Sequence, residues 1–186
     1  MARYAPPRLP LARALAACTG IFVAIATLGL FSFEFHILLA LGSFGSSAVL
    51  LFCFPENDFS QPRSIVGGHL ISTAVGLTVL ALAGQAWWAM GLAVALAAGA
   101  MIATRTVHPP AGSNPIIVFL GLPGWDFLLF PTFSGALVLV AVGCAWHRLA
   151  RQAYPQYWLG LEKRWRWRTF TALSATRTSQ ASSRTR

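Results

Sequence analysis

Between Ala14 and Trp146 the chain carries formal charge only at Glu34, Glu56, Asp58, Arg63, Arg105 and Asp126. A water-soluble domain has about a quarter of its residues charged. Here 10% are charged, 56% are hydrophobic and the mean hydropathy is +0.62. Apolar runs this long with so few ionisable groups belong in a bilayer. The sequence therefore describes an all-α, polytopic helical membrane protein whose first partner is the lipid bilayer.

The runs divide into six membrane segments, expected over residues 14–33, 37–54, 64–84, 87–104, 108–122 and 127–146. At about 1.5 Å per residue, most are long enough for a hydrocarbon core of roughly 30 Å. The apolar run follows Cys18 instead of preceding it, and no small-residue cleavage site precedes Glu34. The first span is accordingly expected to be an uncleaved anchor. Trp87 and Trp88 suit an interfacial belt, and the Gly/Ala run from Gly91 to Ala100 suits close helix packing. Small-residue faces of this kind make a homo-oligomer plausible.

The net charge of +9 is concentrated at the ends. Arg3, Arg8 and Arg13 precede the first span, and from Arg148 onward nine basic residues stand against Glu162 alone. Basic residues flanking membrane spans follow from the positive-inside rule, so they do not point to nucleic acid. Both termini are expected in the cytoplasm and the number of crossings is expected to be even. Six crossings is the simplest solution, and four crossings with two re-entrant segments is the other. Residues 1–13 form a cytoplasmic segment and residues 14–147 the transmembrane domain. Residues 148–168, with interleaved Trp and Arg, read as a membrane-surface helix. Residues 169–186 have the Ser/Thr/Arg composition of a disordered tail. A bacterial inner membrane is the expected location.

One stretch does not fit an uninterrupted helix: His108-Pro109-Pro110-Ala111-Gly112-Ser113-Asn114-Pro115. Three prolines and a glycine break a helix and free backbone groups. At membrane depth such backbone is tolerated only where protein buries it or where it lines a watery cavity. A second segment, residues 42–47, is also short and rich in Gly and Ser. The two align: Gly45-Ser46-Ser47 meets Gly112-Ser113-Asn114, Gly68 meets Gly135, and Val75-Gly76 meets Val142-Gly143. If these are repeats, each unit has three crossings and the second is inverted. Inverted repeats with interrupted helices at matching positions are a transporter signature, with the binding site where the interruptions meet.

The residue types at that meeting point favour an anion. Helix N-termini present free N–H groups and about half a positive charge. Gly45 and Gly112 would let backbone approach a guest, and Ser46, Ser47, Ser113 and Asn114 add short polar groups. Arg63, His69 and His108 would tune charge and could couple a proton. No carboxylate lies within a span to compete. Cys18, Cys53 and Cys144 are scattered, with no metal or cofactor motif.

At these residues the chain resembles the HPP family of integral membrane proteins. The matching pieces are GSFGSSAVLLF from Gly42, QPRSIVGGHL from Gln61 and HPPAGSNP from His108. The likeness runs over about residues 31–146 and excludes the basic tail. It implies a compact helical membrane domain, and some plant plastid members are associated with nitrite transport. The expectation is therefore a transporter or channel for a small inorganic anion, with nitrite the leading candidate. Two other classes compete with it. A non-transporting scaffold subunit would use the broken segments for packing. An intramembrane enzyme would need a serine–histidine pair such as Ser113 with His69, and no acid within a span orients such a base. No enzymatic activity is expected.

Overall fold

The computed structural model describes residues 10–158, and over that range it has six α-helices and no strand. They are α1 (Leu11–Phe33), α2 (Gly42–Cys53), α3 (Pro62–Ala83), α4 (Trp87–Thr104), α5 (Asn114–Gly121) and α6 (Ser134–Leu149). Helices α1, α3 and α4, and the stretch Trp125–Leu149 that ends in α6, are long and apolar enough to cross a bilayer. Helices α2 and α5, of 12 and 8 residues, rise only about 18 and 12 Å.

Contacts between helix ends fix the direction of each pass. Glu56, just beyond α2, lies 3.5 Å from Arg13 at the start of α1, so α2 returns the chain to the face where α1 began. Arg63 at the start of α3 donates to the Thr104 carbonyl at the end of α4 (2.9 Å). Gln85, between α3 and α4, donates to the Phe119 carbonyl near the end of α5 (3.0 Å). His147 in the last turn of α6 reaches the Leu51 carbonyl near the end of α2 (3.0 Å). The chain thus passes from one face to the other six times. Every arginine among the described residues (Arg13, Arg63, Arg105, Arg148 and Arg151) lies at or beyond a helix end on one face. Glu34 and Asp126 mark the opposite one.

Both short helices begin below a face, after irregular backbone. The break expected within residues 42–47 comes earlier, because Gly42 already starts regular helix. Residues 36–41 run without regular structure, with Leu39 and Leu41 buried. The Ser32 hydroxyl accepts from the amides of Leu39 and Ala40, at 3.0 Å each, groups that would otherwise be orphaned at this depth. No proline follows, and a glycine costs a helix only about 1 kcal/mol, so α2 continues through Gly42 and Gly45.

The second break lies where the prolines put it. Arg105 adopts a left-handed conformation (φ 57°, ψ 40°) and ends α4. His108 is extended, as a residue before proline must be. Pro109–Ser113 form a 3-10 turn, and α5 starts at Asn114 with Pro115 in its first turn.

The repeat is visible in the packing. A Cβ on Gly68 of α3 would lie 2.7 Å from His108 Cβ and 2.9 Å from the Thr106 carbonyl, on the segment that leads into α5. Its counterpart Gly135 of α6 is pressed against the Leu39 carbonyl and the Phe44 ring, on the segment that leads into α2. Farther along, Gly76 faces Pro115 and Val118 of α5, while Gly143 faces Leu51 of α2. Each aligned pair therefore opens the same kind of close approach, α3 beside α5 and α6 beside α2. Helix α4 packs through Ala89, Ala93, Ala97 and Met101, all buried at four-residue spacing. Its Gly91 and Gly99 face open space, so alanines carry the contact expected of the whole Gly/Ala run.

The chain beyond α6 differs from the expected surface helix. Helix α6 ends at Leu149, and residues 150–158 form an irregular strap across the arginine face. Tyr154 Oη donates to the Ser60 carbonyl (2.9 Å) and the Gln156 amide to Gln61 Oε1 (2.8 Å). Tyr157 Oη donates to Asp58 (3.2 Å). Burial first, and the Asp58 carboxylate second, push the Tyr157 phenol up to about 12, so it stays a neutral donor. The rest of the expected surface helix (159–168) and the tail (169–186) lie outside the described residues.

Candidate functional site

Three buried polar side chains meet where the two halves face each other. Ser47 stands on α2, His69 two turns into α3, and His108 on the extended segment before Pro109; all three are 0% exposed. Ser47 Oγ lies 2.9 Å from His69 Nε2 and 2.8 Å from His108 Nε2. Asn114, the first residue of α5 and also 0% exposed, approaches His69 from the other side, with Nδ2 3.0 Å from Nδ1. At the far end His108 Nδ1 contacts the Phe59 carbonyl at 2.6 Å. The rings of His69 and His108 are 5.0 Å apart, and Phe44 packs edge-on against His69 at 4.9 Å.

Each placement has a local cause. Pro109 forces His108 into extended backbone, which swings its side chain out of line with the helices on either side. Gly68 lets that segment lie against α3. Pro115 starts α5 at a fixed point, which sets Asn114 one turn above the break. The Ser72 hydroxyl binds the Ala111 carbonyl (2.6 Å) and pins the 3-10 turn to α3.

The hydrogen-bond pattern orders the protons. The Phe59 carbonyl only accepts, so His108 donates from Nδ1 and a neutral ring accepts at Nε2. Ser47 supplies that proton and accepts one from His69 Nε2. His69 Nδ1 is then bare and accepts from the Asn114 amide. Asn114 also donates to Thr73 Oγ1 (2.9 Å), which lies 3.3 Å from Thr132 Oγ1. A buried file of polar groups thus runs from Thr132, just before α6, through Thr73, Asn114, His69, Ser47 and His108 to the Phe59 carbonyl. Buried polar groups are normally satisfied, yet Ser43 Oγ and Asn114 Oδ1 beside this file are buried without a partner.

Not every residue expected at the site joins it. Ser47, His69, His108 and Asn114 form the buried cluster. Ser46 and Ser113 instead face each other across an open groove of about 560 Å³, with Val49, Leu50, Pro109 and Pro110 as its other walls. Their hydroxyls donate back to the carbonyls of Ser43 (3.0 Å) and Pro110 (2.8 Å). Gly45 is exposed and Gly112 half-buried, and a Cβ on either would meet nothing within 4 Å. Arg63 remains on the arginine face with the Thr104 carbonyl, away from the histidines. The serine against His69 is Ser47 and not Ser113. Thr73 went unnoticed in the sequence although it lies one turn after His69 on the same face. The Phe59 carbonyl has no side-chain signal that could have revealed it.

Comparison with known proteins agrees with a helical membrane domain. The HPP transmembrane region matches residues 6–155. A transmembrane protein of Dictyostelium discoideum is 33% identical over 153 residues, which cover 77% of this chain and 54% of that protein. A second transmembrane protein of the same organism is 33% identical over 150 residues, covering 74% of this chain and 48% of its own length. The chain therefore spans about half the length of these relatives. No solved structure matches it. The chain belongs to the HPP family of transmembrane proteins.

Proposed function

We propose that this membrane domain transports a small inorganic anion, nitrite being the leading candidate, past the point where α2 and α5 meet. The observation that carries the reading is the grip of Ser47 and Asn114, equivalent positions of two inverted halves, on opposite nitrogens of His69. Interrupted helices that meet at a buried polar cluster are how inverted-repeat transporters build their sites. A scaffold has no use for buried imidazoles, which are costly in a membrane and tend to be functional. The Ser43 hydroxyl, buried without a partner, is a donor left for a guest anion, with the Ser46 and Ser113 groove alongside. That groove exposes a broken segment, so a second copy covering it would complete the bundle. The arginine face is read as cytoplasmic by the positive-inside rule, and a bacterial inner membrane is the proposed location.

The test is flux of nitrite, nitrate, formate and chloride into proteoliposomes holding the full chain. Uptake of at least one anion is expected, with His69→Phe lowering it by an order of magnitude or more. No flux of any anion through monodisperse, folded protein overturns the proposal and leaves the scaffold. An esterase- or protease-like turnover lost in Ser47→Ala would favour the enzyme instead.

A further inference from the structure

We infer that Ser47 is the switch of a proton-holding site, and that the anion moves together with one proton. This rests on the transport reading above and goes beyond it by naming the coupling ion.

The Ser47 hydroxyl has two acceptors within reach: His108 Nε2 at 2.8 Å and the Ser43 carbonyl of its own helix at 3.0 Å. It has only one proton to give. When it donates to His108, both imidazoles are neutral and every bond from Asn114 to Phe59 is made. When it turns to the Ser43 carbonyl, its two lone pairs face two ring nitrogens. His69 Nε2–H and His108 Nε2–H can then both donate to it, which requires one more proton on the cluster. His108 is now an imidazolium that donates from Nδ1 to Phe59 and from Nε2 to Ser47. His69 is unchanged and still accepts from Asn114. The two arrangements differ by one proton, and each contact along the line from Asn114 Nδ2 to the Phe59 carbonyl pairs a donor with an acceptor in both.

Passage along the file keeps the same balance. Once the Asn114 amide lets go of His69 Nδ1, a proton arriving there lets His69 Nε2–H pass to Ser47 Oγ, and the Ser47 proton passes to His108 Nε2. The proton on His108 Nδ1 then leaves on the side of the Phe59 loop. One proton enters, one leaves, and only N–H and O–H bonds form or break. The loop that receives it carries Glu56 and Asp58 at the arginine face and lies under the Tyr154 and Tyr157 strap.

Among the described residues, none supplies a counter-charge in contact with a loaded site. Phe44 packs on His69 from α2, Asn114 holds it from α5 and the Phe59 carbonyl holds His108 from the loop, with Ser43 bonded to Ser47 and Thr73 to Asn114; none of these is charged. Arg13 pairs with Glu56, Arg63 binds Thr104, and Asp58 holds Tyr157. A buried imidazolium with no protein carboxylate beside it is costly. A transported anion supplies the missing negative charge, so proton and anion favour each other's entry.

The test uses the full chain in phosphatidylcholine–phosphatidylglycerol liposomes, with valinomycin and equal potassium holding the voltage at zero. A trapped pH dye and a nitrite assay follow both species. Protein-free liposomes are subtracted, because undissociated nitrous acid crosses lipid unaided. About one proton should enter with each nitrite. Ser47→Ala should cut protein-dependent proton entry at least tenfold, while Ser47→Thr, which keeps the hydroxyl, should stay within threefold of the parent protein. Nitrite entry without acidification, or Ser47→Ala acidifying like the parent, overturns the inference and leaves the transport reading standing. If no nitrite moves, the same assay is run with nitrate, formate and chloride, and the transport reading falls when none of them moves. An imposed pH gradient then decides the proton site alone: passage that depends on Ser47 keeps it, and passage that does not removes it.

Discussion

Ser47 on α2 and Asn114 on α5 hold the same imidazole from opposite sides, at 2.9 Å from His69 Nε2 and 3.0 Å from Nδ1. Their helices run in opposite directions and belong to opposite halves of the chain. His69 is thus shared by both halves, with the Asn114 amide fixing Nδ1 as an acceptor and leaving Nε2–H to donate to Ser47.

That sharing should appear as energetic coupling. Ser47→Ala leaves Nε2 of both His69 and His108 buried without a partner, and Asn114→Leu leaves His69 Nδ1 so, at about 1–3 kcal/mol for each group. The second substitution should cost less once the first has freed His69 to rotate, because residues with a common partner are not additive. Thermal unfolding of the single and double variants in detergent measures this. Strictly additive losses would mean that the two contacts are independent.

The glycines divide into two groups with opposite outcomes. Gly68→Ala and Gly135→Ala place a methyl group against backbone of the segments leading into α5 and α2. Overpacking of this kind costs about 1–3 kcal/mol, and melting temperatures should fall. Gly91→Ala and Gly99→Ala meet open space on α4 and should be neutral or gain up to about 1 kcal/mol from helix propensity. Equal effects in the two groups would contradict the packing of the inverted halves.

Arg63 is an anchor for α4. Arg63→Ala removes a charge-assisted bond to the Thr104 carbonyl, worth about 1.5–3 kcal/mol when such a bond is well formed and less at a partly exposed site. Stability should fall modestly and nitrite uptake should remain near that of the parent protein. A loss of uptake of an order of magnitude with unchanged stability would place Arg63 on the anion path.

The strap should loosen in alkali. The Tyr157 phenol titrates at about 12 in the folded chain against about 10 when free. A raised pKa of this kind adds stability that is complete below pH 10 and lost as pH rises toward 12. Limited proteolysis after residue 149 should therefore accelerate over that window, and Tyr157→Phe should remove its share of the pH dependence. A rate that is flat from pH 9 to 12 would show that the Asp58 contact does not hold the strap.

The glycine register was legible because each close approach needs a residue without a side chain, and Gly68, Gly76, Gly135 and Gly143 recur at matching intervals. The break at His108 was legible for a similar reason, since proline restricts backbone locally. The other break was misplaced within residues 42–47. Its irregular backbone is held by Ser32, a residue on the preceding helix that no local pattern connects to Leu39 and Ala40. Arg63 was grouped with the histidines for its positive charge, but it lies at the start of α3 and His69 well inside that helix.

By itself the sequence determined the class of protein, the six apolar segments and the presence of a broken segment beginning at His108. These follow from local quantities: apolar length, charge at the ends and the stereochemistry of proline. Only the tertiary structure decided which polar groups meet. Ser47 lies 22 residues from His69 and 61 from His108, and nothing in linear spacing brings them together. Their contact depends on two short helices entering from opposite faces, and on glycines that let the segments between them lie against α3 and α6.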